Sequence, residues 1–191
     1  MKYLEPIRKQ IEELLKTNKS IIVAIDGCAA SGKTTAATYL AEYFHGNVIH
    51  MDDFFLPFDM RTQERLNQPG GNIHSERFLE EVWKPLRAGR EISYRRFDCA
   101  LGDFGDNINI KPKAVTIIEG AYSMRPDFIS YDLGVFFESK QNVQYDRILK
   151  RNGSEKLEAF RNRFIPMENK YFEAFSIKNQ ADLLVDTSFV F

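Results

Sequence analysis

Ile21-Ile22-Val23-Ala24-Ile25-Asp26-Gly27-Cys28-Ala29-Ala30-Ser31-Gly32-Lys33-Thr34 decides the fold. Its first five residues are a continuous apolar run rich in β-branched side chains, as expected of a strand buried on both faces of a parallel sheet. Its last eight fit the pattern glycine, any four residues, glycine, lysine, threonine. Lys33 to Phe44 then reads as a helix, which His45-Gly46-Asn47 ends. In this order of strand, glycine loop and helix, the loop can turn its backbone N–H groups toward a phosphate that rests on the positive end of the helix dipole. Gly27, Cys28, Ala29, Ala30, Ser31, Gly32, Lys33, Thr34 and Thr35 are therefore the expected cradle for a nucleoside triphosphate, ATP or GTP. Lys33 is expected on the β- and γ-phosphates, and the Thr34 hydroxyl on Mg²⁺. A chance glycine-rich turn is the bland alternative, and the flanking strand and helix argue against it.

Working outward, Leu4, Ile7, Ile11, Leu14 and Leu15 recur at helical spacing and mark an amphipathic helix ending near Asn18. Val48-Ile49-His50-Met51, Ala114 to Ile118, Leu133 to Phe137 and Leu183-Leu184-Val185 read as further buried strands. Helices are expected from Ser75 to Ala88, Gln141 to Arg151 and Ser154 to about Phe175, and a strand or ribbon over Glu91 to Phe97. Cys99 to Pro112 reads as a turn-rich excursion. Strands alternating with helices imply a three-layer, doubly wound parallel sheet with ligands outside the carboxyl ends of the strands. The length, 191 residues, suits one domain over 1–191. The stretch from Leu56 to Ile73 carries Pro57, Pro69, Gly70 and Gly71, and a loop of that length reads as an acceptor-binding loop.

Two acidic segments fall at strand ends on the side where ligands bind. Asp52-Asp53 follows the second strand, where one carboxylate could take the proton of an attacking hydroxyl; a turn or capping pair fits the position equally. Glu119-Gly120 follows the third, where an acid holds Mg²⁺ or its waters, unless it is a simple turn acid. Arg147, Lys150 and Arg151 share a helix face, and Arg161 and Arg163 follow, so the region 140–163 reads as a basic lid; a solvated helix face is the alternative. Cys28 reads as a small filler, and His45, His50 and His74 are too scattered for a metal site or a triad. Phe54, Phe55, Tyr94 and Phe97 could line an acceptor pocket, with core packing as the default for each.

Basic and acidic residues number 26 and 27, for a net charge of -1, so nothing global favours nucleic acid or an anionic membrane. Two cysteines are too few for a disulfide framework. No stretch approaches the roughly 20 apolar residues of a membrane span. The expectation is a cytoplasmic protein, and a homo-oligomer is compatible with the composition.

With these segments in hand, the chain resembles the uridine kinase and phosphoribulokinase branch of P-loop kinases over most of its length, and Asp52-Asp53-Phe54-Phe55-Leu56-Pro57 also resembles nicotinamide riboside kinases. The resemblance implies a P-loop fold of the nucleoside monophosphate kinase type with a helical lid. It implies transfer of a γ-phosphoryl group to a hydroxyl of a small acceptor, a nucleoside before other classes, with Asp52 as the base. It implies Glu119 near Mg²⁺, Arg147 and Arg151 as lid arginines, and Asp53, Phe55, His74, Tyr94 and Arg163 toward the acceptor. Uridine kinases carry Asn-Phe-Asp-His-Pro where this chain has Gly71-Asn72-Ile73-His74-Ser75, and a histidine after Tyr-Asp-Phe that is missing after Tyr94-Arg95-Arg96-Phe97. Uridine specificity is therefore not implied. The alternatives are a kinase for pantothenate or a sugar phosphate, or a nucleotide-binding regulatory or ATPase module with no acceptor.

Overall fold

The computed structural model describes residues 1–126 and 130–190. Among them are the strands β1 (Ile21–Gly27), β2 (Asn47–His50), β3 (Ile92–Asp98), β4 (Asp103–Ile110), β5 (Val115–Glu119), β6 (Leu133–Glu138) and β7 (Leu183–Asp186). Five of these form one sheet in the order β2-β5-β1-β6-β7, with every pairing parallel. β1 lies in the middle and is buried at every position, which is why its sequence is an unbroken apolar run rather than an alternating one.

Alternation still decides which face each side chain serves. Ile21, Val23 and Ile25 join Val115, Ile117, Val135 and Phe137 under the helices α1 (Glu5–Thr17) and α2 (Lys33–Phe44). Ile7 and Ile11 of α1, and Ala36, Ala37, Leu40 and Ala41 of α2, are the buried residues of those helices. Ile22 and Ala24 point to the opposite face, where they meet Ile118, Phe136, Phe54, Phe78, Tyr122 and Tyr171. The expected three-layer, doubly wound arrangement is present.

The other helices of more than one turn among the described residues are α3 over 75–87, α4 (Gln141–Asn152) and α5 over 154–174. α3 and α5 each contain a π-type turn, at Leu79–Trp83 and Phe160–Phe164. Such turns are uncommon inside helices and frequent at functional sites. The segment Cys99 to Pro112 departs from its reading as turn-rich: Asp103–Ile110 is β4, antiparallel to β3 in a separate two-stranded ribbon. Asp103, Asn107 and Asn109 are poor strand formers, and pairing with Ile92 to Asp98 overrides their local preference.

The stretch from Leu56 to Ile73 is a closed loop rather than a structureless one. It contains a 3₁₀ turn, Phe58–Met60, and one helical turn, Gln63–Leu66. Its ends are tied by Leu56 N–H to Asn72 O at 2.9 Å and His74 N–H to Phe54 O at 2.8 Å. No helix among the described residues is long and apolar enough to cross a membrane.

Candidate active site

The glycine loop leaves the carboxyl end of β1 and turns into α2. Gly27 has φ 130°, and a Cβ there would lie 2.0 Å from Phe137 O, so no other residue fits. Gly32, at φ 91°, precedes α2. Beneath the loop Asp26 is 0% exposed. It accepts hydrogen bonds from Gly27 N–H at 2.7 Å, Tyr122 N–H at 3.2 Å, Met124 N–H at 2.9 Å and the Tyr171 hydroxyl at 2.8 Å. Burial raises its pKa above the ordinary carboxylate range, and the hydrogen bonds oppose that rise.

Lys33 Nζ donates to Gly27 O at 2.7 Å and Cys28 O at 2.8 Å. An ammonium has three N–H donors, so one remains for a phosphate oxygen. Ser31, 0% exposed, has an Oγ with no partner among the described residues. An orphaned buried hydroxyl in a phosphate loop is what a bound phosphate would satisfy. The Thr34 hydroxyl lies 3.1 Å from both carboxylate oxygens of Glu119. One hydroxyl and one carboxylate beside phosphates suit Mg²⁺, which is commonly held by one or two carboxylates plus phosphate oxygens. Glu119 is also 2.5 Å from His50 Nδ1, and that contact raises the His50 pKa.

Ser31, Lys33, Thr34 and Glu119 line a cleft of about 160 Å³ with Ala29, Ala30, Gly32, Thr35, Asp52, Gly120, Ala121, Arg151, Phe160 and Glu168. Asp52 stands in the 3₁₀ turn Met51–Phe54 directly after β2, open to the cleft but closely surrounded by protein. That crowding, and then the Glu119 charge, raise its pKa, while Lys33 and His50 pull it back. A second cavity of about 390 Å³ adjoins, lined by Asp52, Phe55, Asn72, Tyr122, Phe160, Arg163, Phe164 and Glu168 among others. Asp52, Ala121, Phe160 and Glu168 border both spaces.

Several expected site residues lie elsewhere. The Asp53 carboxylate accepts from the Tyr94 hydroxyl at 2.9 Å, both residues are buried, and neither borders the two spaces. They brace the turn after β2 against the ribbon. His74 caps α3 by accepting from Arg77 N–H at 3.3 Å and borders a different hollow, beside Phe58, Phe97 and Phe104. Arg147 lies behind the loop, donating to Ala30 O at 3.1 Å and Thr187 O at 2.6 Å. It supports the cradle and, with Arg151, borders a small hollow beside Ala30, Gly32 and Thr35. Arg151, Phe55 and Arg163 do reach the expected spaces.

Sequence reasoning missed Glu168, whose Oε2 accepts from Ala29 N–H of the loop at 2.9 Å. Burial raises its pKa to about 7, with Lys33 opposing the rise. Its one sequence signal is a carboxylate directly after the apolar Ile165-Pro166-Met167 of α5. His50 reads in the sequence as a scattered histidine because its partner, Glu119, lies 69 positions away. Asp26 carried a plainer signal, an acid closing an apolar strand.

No family model matches the chain. A curated uridine kinase of Anoxybacillus flavithermus is 25% identical over 190 residues, covering 87% of this chain and 86% of that one. A solved structure from Bacillus stearothermophilus described as a possible uridine kinase is 22% identical, with a TM-score of 0.64 over 95% of this chain and 100% of that one. Another, from Silicibacter sp. TM1040 and provisionally named a fructose transport system kinase, reaches a TM-score of 0.71 at 21% identity, over 95% of this chain and 98% of that one. The chain thus has the fold of these kinase structures and resembles uridine kinases along most of its length.

Proposed function

We propose that this chain is an ATP-dependent phosphotransferase that moves the γ-phosphoryl group onto a hydroxyl of a small metabolite, with a nucleoside as the first acceptor class to consider. The observation that carries the reading is the position of Asp52, which borders both the phosphate cleft and the adjoining cavity. A carboxylate there can accept the proton of a hydroxyl as its oxygen bonds to the terminal phosphorus and the bond to the departing diphosphate breaks. When bound, the Mg²⁺ nucleotide supplies the electrophilic phosphoryl group.

Each remaining role falls to a residue of this chain. The loop N–H groups and the α2 dipole hold the phosphates. Lys33 neutralises charge on them, and Thr34 and Glu119 are the residues that would hold Mg²⁺. His50 fixes one Glu119 oxygen. Arg151 reaches the cleft from α4, where it can neutralise charge during transfer. The nucleoside class is supported by the curated relative's name and by Phe55, Tyr122, Phe160 and Phe164 along the acceptor cavity, which suit a flat ring.

The test measures ADP release with and without a panel of nucleosides, pantothenate and sugar phosphates. Release that depends on one class of acceptor is the expected result. Hydrolysis of nucleotide at the same rate with every compound overturns the kinase reading in favour of an ATPase or regulatory module.

A further inference from the structure

We propose that the acceptor carries an anionic group, a carboxylate or a phosphate, remote from the hydroxyl that is phosphorylated, and that Arg61, Lys156 and Arg163 receive it. The inference rests on the phosphotransferase reading above and departs from its plain nucleoside class, since an unmodified nucleoside carries neither a carboxylate nor a phosphate.

The acceptor cavity is electrically two-ended. Its carboxylates, Asp52 and Glu168, are the ones that also border the phosphate cleft, so the negative charge gathers at the inner end. Its cations, Arg61, Lys156 and Arg163, border the acceptor cavity and not the phosphate cleft. Lys156 and Arg163 come from α5, and Arg61 comes from the loop that spans Leu56 to Ile73. None of the three forms a salt bridge with a carboxylate among the described residues.

A solvated basic rim is the ordinary explanation of such a set, and it suits Lys156 and Arg163, which are exposed. Arg61 does not fit it. This side chain is half-buried, its Nε donates to Leu56 O at 2.7 Å, its Nη2 reaches Cys99 Sγ at 3.4 Å, and its guanidinium lies 4.3 Å over the Phe58 ring. The charge is thus held in place by neutral groups, with donor capacity to spare. A fixed guanidinium facing a cavity suits a carboxylate or phosphate, which it can bind through charge-assisted hydrogen bonds.

The same polarity sets the orientation. An anion at the inner end would meet Asp52, Glu168 and the triphosphate, so the hydroxyl points inward and the anionic group outward. Asn72 also borders the acceptor cavity; it is 8% exposed and its Oδ1 accepts no hydrogen bond among the described residues. A donor on the acceptor, a hydroxyl or an N–H, satisfies it.

The experiment compares matched pairs as acceptors of wild-type enzyme: uridine with its 6-carboxylate orotidine, glycerol with glycerate, pantothenol with pantothenate, ribose with ribose 5-phosphate. The readout is kcat/KM from acceptor-dependent ADP release. The anionic member is expected to be better by about tenfold or more, the scale of one charge-assisted contact. The pairs that show the advantage separate carboxylate from phosphate. Arg61→Gln is expected to raise KM for anionic members about tenfold more than for their neutral partners. Lys156→Gln with Arg163→Gln repeats the comparison should Arg61→Gln disturb the loop. Equal or better use of the neutral members overturns the inference and leaves the kinase reading standing, as does an anionic preference that survives both variants. Nucleotide hydrolysis that no compound alters overturns the kinase reading, and the inference with it.

Discussion

Asp52 and Glu168 are two carboxylates on the same wall with different surroundings and different expected consequences. The Asp52 carboxylate accepts no hydrogen bond among the described residues, so its lone pairs are available to a hydroxyl. Asp52→Asn keeps the shape and removes the proton acceptor, so turnover is expected to fall at least a hundredfold, the low end for lost base assistance. Nucleotide binding, followed by equilibrium titration, should remain close to wild type. Unchanged turnover removes Asp52 from the mechanism. Glu168 is tied to Ala29 N–H, and its pKa is raised from an ordinary 4.5 to about 7 by burial. A carboxyl whose pKa is higher folded than unfolded contributes stability in full below its unfolded value, and that contribution is lost as pH rises through the folded one. Melting temperature measured between pH 4.5 and 7.5 should therefore fall more steeply for wild type than for Glu168→Gln. Parallel curves contradict the assignment.

One arginine gathers several of the contacts of the loop from Leu56 to Ile73. Arg65 donates through Nη1 and Nη2 to the two Glu76 oxygens, each at 2.8 Å, and through Nε to Gly71 O at 3.3 Å and Nη2 to Ile73 O at 3.2 Å. The loop is thereby fastened to the start of α3. The Arg65 guanidinium holds Glu76 down at about 2, against an ordinary 4.5. For a depressed carboxylate the stabilisation is complete above the unfolded pKa and disappears as pH falls through the folded one. The clamp thus stays closed throughout the neutral range. Arg65→Ala is expected to raise acceptor KM several-fold with a smaller change in nucleotide KM, because it frees the loop that carries Arg61 and Asn72. Equal effects on both constants would mean that the loop does not serve the acceptor.

Across the molecule, Asp26 joins the central strand to the glycine loop, the turn after β5 and α5. Replacing it by alanine leaves several buried donors without an acceptor, each costing about 1–3 kcal/mol. Asp26→Ala is therefore expected to destabilise the protein by ~3 kcal/mol or more in urea unfolding, a large share of a typical stability of roughly 5–15 kcal/mol. A loss under ~1 kcal/mol would show that water replaces the lost oxygens. Because Tyr171 on α5 shares this acid with the loop, movement of α5 and the shape of the cradle are mechanically linked.

Much of the arrangement was legible because its cause is local. Ile21 to Thr34 carries its own strand, turn and helix start, since glycine alone tolerates the Gly27 backbone and β-branched residues favour a doubly buried strand. Asp52 and Glu119 could be placed because a strand end fixes which way its next residue faces. The sequence itself therefore determined the parallel-sheet fold, the phosphate loop and the acids above it. What Asp53, Tyr94 and Arg147 touch was settled by partners far along the chain, and so was the role of Glu168, 139 positions from Ala29. Only the tertiary structure decided those, because a side chain's chemistry depends on what packing brings within about 3 Å of it, and no local pattern encodes that neighbour.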